Sequence, residues 1–294
     1  MNPGVAYALS AYLLWGLLPI YLHLLAPIAT AEILAHRIVW SLVTVALLLV
    51  GLRRLAWIRA ALAAPATLGR FVLTASLISC NWLLYIWSIN AGHVVDSSLG
   101  YFINPLVNVL LGWLLLHERP RLGQKIPLLL AALGVAWLTW LAGSPPWIGL
   151  TLALSFSLYG LLRKTAALGA MEGFAVEAAV LTPIALAYLC WLAASGALGF
   201  SNTSTQIRWL LVAAGPVTTI PLLLFAAAAR RISFSLLGVL QYLAPTLQWL
   251  SGIFVFREPF DPQKAIGFGF IWLALALYAA EGAWFGWQRG RCAA

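Results

Sequence analysis

Long apolar runs fill this chain from end to end and are broken by short polar stretches. A hydrocarbon core about 30 Å thick needs about 20 apolar residues per helix. That ruler marks ten segments, at 4–23, 33–52, 70–90, 97–116, 126–142, 147–163, 174–195, 208–229, 234–256 and 265–285. The breaks between them carry turn and charge signals: Ala26-Pro27, Arg53-Arg54, Gly92-His93, Arg119-Pro120, Ser144-Pro145-Pro146, Gly199 to Thr205, and Arg230-Arg231. The segments are apolar all round, so periodicity does not say which face of each looks inward. The pattern predicts an all-α polytopic membrane protein with ten transmembrane helices.

Composition agrees with the pattern. The chain is 63% hydrophobic and 9% charged, against roughly 25% charged for soluble domains. A net charge of +9 would suggest nucleic acid in a soluble protein; here basic loops retained in the cytoplasm explain it, and no nucleic-acid partner is implied. With both termini cytoplasmic, the inner loops hold thirteen Lys and Arg residues and the outer loops three, Arg208, Arg257 and Lys264. The positive-inside rule therefore predicts N-in and C-in, with residues 286–294 as a cytoplasmic tail. The start, MNPGVAYAL, lacks a basic n-region and reads as a retained first span. Cys80, Cys190 and Cys292 are scattered, so neither a disulfide framework nor a metal site is supported. No HExxH, no nucleophile–His–carboxylate spacing and no phosphate-cradling loop occurs, and the expectation is neither an enzyme nor a cofactor protein.

One stretch is written twice. Ser98–Lys125 reads SLGYFINPLVNVLLGWLLLHERPRLGQK, and Gly238–Lys264 reads GVLQYLAPTLQWLSGIFVFREPFDPQK. Pro105 matches Pro245, Gly112 matches Gly252 and Glu118 matches Glu258, all at an offset of 140 residues. A one-residue slip then aligns Gln124-Lys125 with Gln263-Lys264. Weaker echoes set Ser10–Gly16 beside Ser155–Gly160 and Glu32 opposite Glu172. Two halves follow, 4–142 and 147–285, of five spans each. Five is odd, so the halves are expected to lie upside down to one another. Inverted repeats are a hallmark of secondary transporters, which bind solute near the midplane between the halves.

The duplicated pair resembles the two signature helices of EamA-type proteins, of the drug/metabolite transporter superfamily. With WGLLPIYLHLL near the start, EILAHRIVWS, NWLLYIWSINAGHVVDSSLGYFINPL and QYLAPT, the chain resembles the RarD branch, known as chloramphenicol-sensitivity proteins, over essentially its whole length. The resemblance implies ten helices, a bacterial inner membrane and a permease of small organic metabolites. It names no ligand.

Polar groups inside spans are expensive and face the bundle interior, so each is a site candidate. Tyr101, Asn104 and Asn108 share one face of the fourth span, and Gln241, Pro245, Gln248 and Gly252 share one face of the ninth. The third span offers Asn81, Tyr85 and Ser88. Asn108 and Gln248 hold matching repeat positions, which would set two amides across a central space. Each amide is either interhelical glue, worth about 0.6 kcal/mol on average, or a contact to solute; as a set they point to a cavity. Pro105 and Pro245 each free a carbonyl one turn earlier, for a cavity to use or as a packing kink. Arg37, about a turn inside the second span, either snorkels outward onto Glu32 or Asp96, or binds an anionic group or gates the outer mouth. Its repeat counterpart, Glu177, is the candidate for a coupling proton, or else pairs with a loop arginine such as Arg230. Glu118 and Glu258 read as helix-end salt bridges. Trp57, Trp147, Trp209, Trp284 and Trp287 read as interface anchors. Trp15, Trp40, Trp82, Tyr85 and Trp87 lie deeper, and some would line an aromatic cavity suited to a flat or amphipathic solute.

The expected function is a secondary transporter that moves a small organic metabolite or drug across the inner membrane by alternating access. Its expected partners are the lipid bilayer and the solute. The alternative is a membrane-embedded protein that binds and senses a metabolite without moving it.

Overall fold

The computed structural model describes residues 2–62, 64–90, 94–143, 147–255, 257 and 262–292. Asn2 and Pro3 start the first helix as the sequence rules require. The Asn2 side chain accepts from the Gly4 amide at 2.8 Å, and Pro3 takes a position where no amide donor is needed. The helices in order are α1 (Pro3–Leu24), α2 (Thr30–Gly51), α3 (Trp57–Leu62), α4 (Pro65–Asn90), α5 (Val94–Leu116), α6 (Leu122–Ala142), α7 (Trp147–Lys164), α8 (Ala170–Ala194), α9 (Thr205–Ala229), α10 (Phe234–Gln241), α11 (Leu243–Phe254) and α12 (Pro262–Cys292). Among the described residues there is no strand. Short connections join most of the long helices, and α10 with α11 makes a single broken traverse. The chain is thus an all-α, polytopic membrane protein of ten traverses, with the short α3 as an extra element that the apolar pattern does not show.

Among the described residues, seven of these helices are long and apolar enough to cross a bilayer on their own account: α1, α2, α4, α6, α8, α9 and α12. Helix α7 has 18 residues and ends on Arg163-Lys164, and α10 and α11 are separate pieces. Helix α5 is apolar over Gly100–Leu116. The surface is lipid-facing in character, with Leu122 exposed at 79%, Ile184 at 72% and Leu47 at 68%. In water such coverage would drive aggregation; in a bilayer it is the solvated surface.

The two copies of the repeated stretch differ at their prolines. Helix α5 runs unbroken through Pro105, whereas its counterpart parts at Tyr242, three residues before Pro245. The helix break falls in the second copy alone. Both prolines lack an amide donor, so the carbonyls of Tyr101 and Gln241 lose their helical partner. The helix ends match closely: His117 and Arg257, 140 residues apart, both take the left-handed conformation, with φ of 54° and 55°. The Glu118 amide donates back to the Gly112 carbonyl at 2.9 Å and closes α5.

Helix α5 packs on α7 and α10, α1 on α9 and α11, α2 on α8 and α9, α4 on α7 and α8, and α6 on α12. Every one of these pairs joins residues 3–142 to residues 147–292. The core lies between the halves rather than inside either, as its largest cluster shows, with Tyr12, Val45 and Ile78 set against Tyr159, Phe225 and Phe234. Close approach depends on small residues. At the α6–α12 crossing a Cβ on Gly134 would lie 2.8 Å from the Gly267 carbonyl oxygen. Because the obstacle is backbone, Gly134→Ala is expected to cost about 1–3 kcal/mol, read as a lower unfolding midpoint of the purified protein in detergent. The same change at Gly69, where a Cβ meets nothing within 4 Å, is expected to leave the midpoint in place.

Candidate functional site

A cavity with about 930 Å³ of empty space, its opening included, lies between the halves. Helix α1 contributes Tyr12, Trp15, Leu18 and Leu22, and α2 contributes Arg37. Asn81, Trp82 and Tyr85 come from α4, and Gly100, Tyr101 and Asn104 from α5. From the second half come Leu152 and Phe156 of α7, Leu222 of α9, and Gln241, Ala244, Pro245 and Gln248 of the α10–α11 traverse. Their places along the helices put the cavity at mid-depth and toward the side remote from the N-terminus. Toward the other side the bundle is filled by Tyr159, Phe225, Phe234 and Leu237, each at most 1% exposed.

The amides in the wall are partly committed. Asn81 Nδ2 donates to the Leu152 carbonyl at 2.9 Å and to Ser155 Oγ at 2.8 Å. Gln248 Nε2 donates to the Trp15 carbonyl at 3.1 Å. Asn104 accepts at Oδ1 from Ser157 Oγ. These bonds fix the side chains while leaving the amide oxygens of Asn81 and Gln248 and the amide nitrogen of Asn104 with capacity. Aromatic rings make up much of the rest, with Tyr85 set edge-on to Tyr101 at 5.7 Å and Trp15 edge-on to Phe156 at 5.8 Å.

Arg37 is the charged side chain in this wall. Its Nε donates to Thr218 Oγ1 at 2.9 Å, and its Cζ lies 5.1 Å from the centre of the Trp82 ring. A cation at bilayer depth costs about 2.5–3.5 kcal/mol on an insertion scale, and a desolvated cation–π contact returns about 2. Glu32, expected as one partner, is engaged elsewhere. Its carboxylate accepts from the Gly199 and Phe200 amides at 2.9 and 2.8 Å, tying the start of α2 to the α8–α9 loop. Five helical residues separate Glu32 from Arg37, which turns the two about 140° apart around the axis. The Asp96 side chain, the other expected partner, lies outside the described residues, as do Glu258, His93 and the Ser144-Pro145-Pro146 break.

Seven of the polar candidates read from sequence, Arg37, Asn81, Tyr85, Tyr101, Asn104, Gln241 and Gln248, share this wall with Pro245. Asn108 and Pro105 do not. Asn108 is 1% exposed and donates through Nδ2 to Gln241 Oε1 at 3.1 Å, at the contact where Gly238 rides on the Pro105 carbonyl. The expected facing pair of amides, Asn108 and Gln248, is therefore not formed. Thr218, Phe156 and Leu222 carried no mark in the reading of the sequence. Thr218 had one available, as a hydroxyl between Pro216 and Pro221 in an apolar span.

Glu177 lies one layer beneath the cavity floor. A narrow crevice lined by Trp82, Leu222, Ser41, Tyr159 and Glu177 separates it from the main space, and Trp82 and Leu222 belong to both. Its carboxylate accepts from Thr74 Oγ1 at 2.6 Å and Tyr159 OH at 3.2 Å, with Arg163 Nε at 3.8 Å. Arg163, not Arg230, is its cation. Arg230 instead donates to the Ala166 and Leu168 carbonyls at 2.8 and 2.7 Å. Tyr159 and Arg163 are four residues apart on α7, so one face presents both to Glu177.

A ten-traverse bundle that encloses a mid-depth cavity of aromatic rings, fixed amides and one arginine has the architecture of a membrane transporter. Residues 2–140 match the EamA-like transporter family. The chain is 47% identical to Protein RarD of Streptomyces exfoliatus over 274 residues, 93% of this chain and 87% of that one. It is 41% identical to Protein RarD of Escherichia coli (strain K12), across 95% of this chain and 94% of that one. An uncharacterized transporter of Pseudomonas aeruginosa is 45% identical, across 97% and 95%. A solved crystal structure with 19% sequence identity shares the fold, with a TM-score of 0.66 over 94% of this chain and 97% of its own. This chain belongs to the EamA-like transporter family, in its RarD branch.

Proposed function

We propose that this protein is a secondary transporter of a small organic solute, working by alternating access between two inverted halves, 4–142 and 147–285, in the bacterial inner membrane. The observation that carries the proposal is a mid-depth cavity walled by both halves, in a bundle whose core lies between those halves. The packing supports the inverted relation. Advancing each traverse by five maps the α5–α7 contact onto α10/α11 with α1, α2–α9 onto α8–α4, and α1–α9 onto α7–α4. The contacts α2–α8, α6–α12 and α5–α10 map onto themselves. A two-fold relation between the halves produces that pairing, and five spans per half, an odd number, favour an axis in the membrane plane. The loop charges favour termini in the cytoplasm, which makes the cavity an outer-half site with the inner half closed.

The test is counterflow into proteoliposomes across a panel of aromatic and aliphatic acids, amino acids and amphenicols. Saturable uptake, accelerated by the same solute on the far side, is the expected result for at least one. Tight binding of a solute with no flux of it would replace the transporter with a membrane-embedded sensor. Flux that neither saturates nor accelerates would make the protein a channel.

A further inference from the structure

The charge balance of the cavity points to a class of solute, on the reading that the cavity is the transport site. Among the described residues Arg37 is the charged side chain in the wall, and no carboxylate shares it. The buried carboxylates nearby are already answered, Glu32 by the Gly199 and Phe200 amides and Glu177 by Thr74, Tyr159 and Arg163. No described residue forms an ion pair with Arg37. Its Nε donates to Thr218 Oγ1, and the Trp82 ring lies beside the guanidinium. The plane of the fork is thus set, and its two terminal nitrogens remain for a ligand. Parallel donors in that geometry match a carboxylate.

We propose that the solute is a small organic monocarboxylate with a flat, aromatic body, its carboxylate held on Arg37 and its ring between the aromatic walls. Trp15 with Phe156 on one side and Tyr85 with Tyr101 on the other supply ring faces and edges. The free amide oxygens of Asn81 and Gln248 accept from a hydroxyl or N–H on the body of the solute. The same arrangement disfavours cations and zwitterions. An ammonium entering here finds no carboxylate and shares the space with Arg37, so a free amine is repelled and an amino acid gains from one end only.

The test uses the full-length protein in nanodiscs, with binding read by quenching of tryptophan fluorescence. The probes are aromatic monocarboxylates (3-phenylpropionate, cinnamate, indole-3-acetate, 4-hydroxybenzoate), each beside its neutral amide and its corresponding amine. At least one acid is expected to bind ten-fold or more tightly than its amide and its amine. Arg37→Gln is expected to erase that preference, the acid losing ten-fold or more in affinity and the amide several-fold less than the acid. Thr218→Val, which keeps the charge and removes its anchor, is expected to weaken the acid several-fold and the amide less, so that the preference narrows. Arg37→Lys controls for folding and is expected to recover part of the preference. If no acid outbinds its amide, or if the preference survives Arg37→Gln, the anion class is overturned. Acid-selective binding without counterflow would keep the anion site and defeat the transporter; counterflow of neutral or cationic solutes alone would keep the transporter and defeat the anion site.

Discussion

Glu177→Ala is expected to lower the stability of the purified protein by about 3–5 kcal/mol, because it leaves Arg163 as an uncompensated charge in the bundle. Both members of the pair are 2% exposed. Arg163 has other contacts, a bond from Nη2 to the Ala170 carbonyl at 2.7 Å and a cation–π contact with Phe71 at 5.5 Å, but neither supplies a negative charge. The loss belongs to the broken pair and not to either residue. Removing both charges together, as Glu177→Ala with Arg163→Met, is therefore expected to regain most of it. Unfolding midpoints in detergent for the two single variants and the double one give the coupling directly. A Glu177→Ala protein as stable as the parent would show that the pair does not hold α4, α7 and α8 together. Glu177→Gln keeps one of the two acceptor oxygens that Thr74 and Tyr159 use, and loses the charge. It is expected to retain both counterflow and gradient-driven accumulation per folded molecule, since this carboxylate answers Arg163. Loss of accumulation with counterflow intact would instead make Glu177 the coupling residue.

The pair also shows where reading the sequence succeeds and where it stops. All ten segments coincide with traverses because a bilayer imposes a length on apolar runs; the bounds agree to within about five residues, except that α12 continues to Cys292, through most of the stretch expected as a tail. Helix α3 was not legible, since six residues in an Arg-flanked break carry no such signature. The polar part of the cavity wall was legible for a related reason: an amide or arginine inside an apolar run has few places to go. Tyr12, Leu152, Phe156 and Leu222 could not be found that way, because an apolar residue on an all-apolar helix does not reveal which neighbour it meets. Asn108 exposes a further limit. It shares a helical face with Tyr101, but seven residues carry it about 10 Å along the axis, past the cavity and into the α5–α10 contact. Partners are harder still. Arg37 meets Thr218 instead of Glu32 by packing between the halves, 181 residues apart in sequence, and Glu177 meets Arg163 instead of Arg230 within the second half, where nothing in the apolar pattern of α7 and α8 marks the pair.

Glu118→Ala is expected to cost on the order of 3 kcal/mol and to loosen the closed side of the bundle. The side chain looks like a surface salt bridge in the sequence, sitting in His-Glu-Arg-Pro after α5. A surface pair would be worth about 0–1 kcal/mol, and its loss would barely register. The structure gives this carboxylate a different task. It accepts from the Phe234 and Ser235 amides at 2.8 and 2.9 Å and from Ser235 Oγ at 3.1 Å, capping the start of α10 where backbone donors have no helical partner. Lys164 Nζ, 3.8 Å from the same carboxylate, donates to the Ala229 and Ile232 carbonyls at 2.8 and 2.6 Å, at the end of α9. One carboxylate and one ammonium therefore tie together the ends of α5, α7 and α9 and the start of α10. A charged hydrogen bond of this kind contributes about 1.5–3 kcal/mol, and water replaces part of what is removed. Glu118 and Lys164 are each 19% exposed, so Glu118→Gln, which keeps one acceptor oxygen, is expected to lose about half as much. If the inner side must open for solute to leave, the weakened knot shifts the resting population toward the inward-open form. The measurement is labelling of a cysteine at Leu237, on the closed side below the cavity, by a membrane-impermeant maleimide in inside-out vesicles. Faster labelling in Glu118→Ala than in the parent is the expected result. Unchanged labelling together with an unchanged unfolding midpoint would return Glu118 to the role of a surface ion pair.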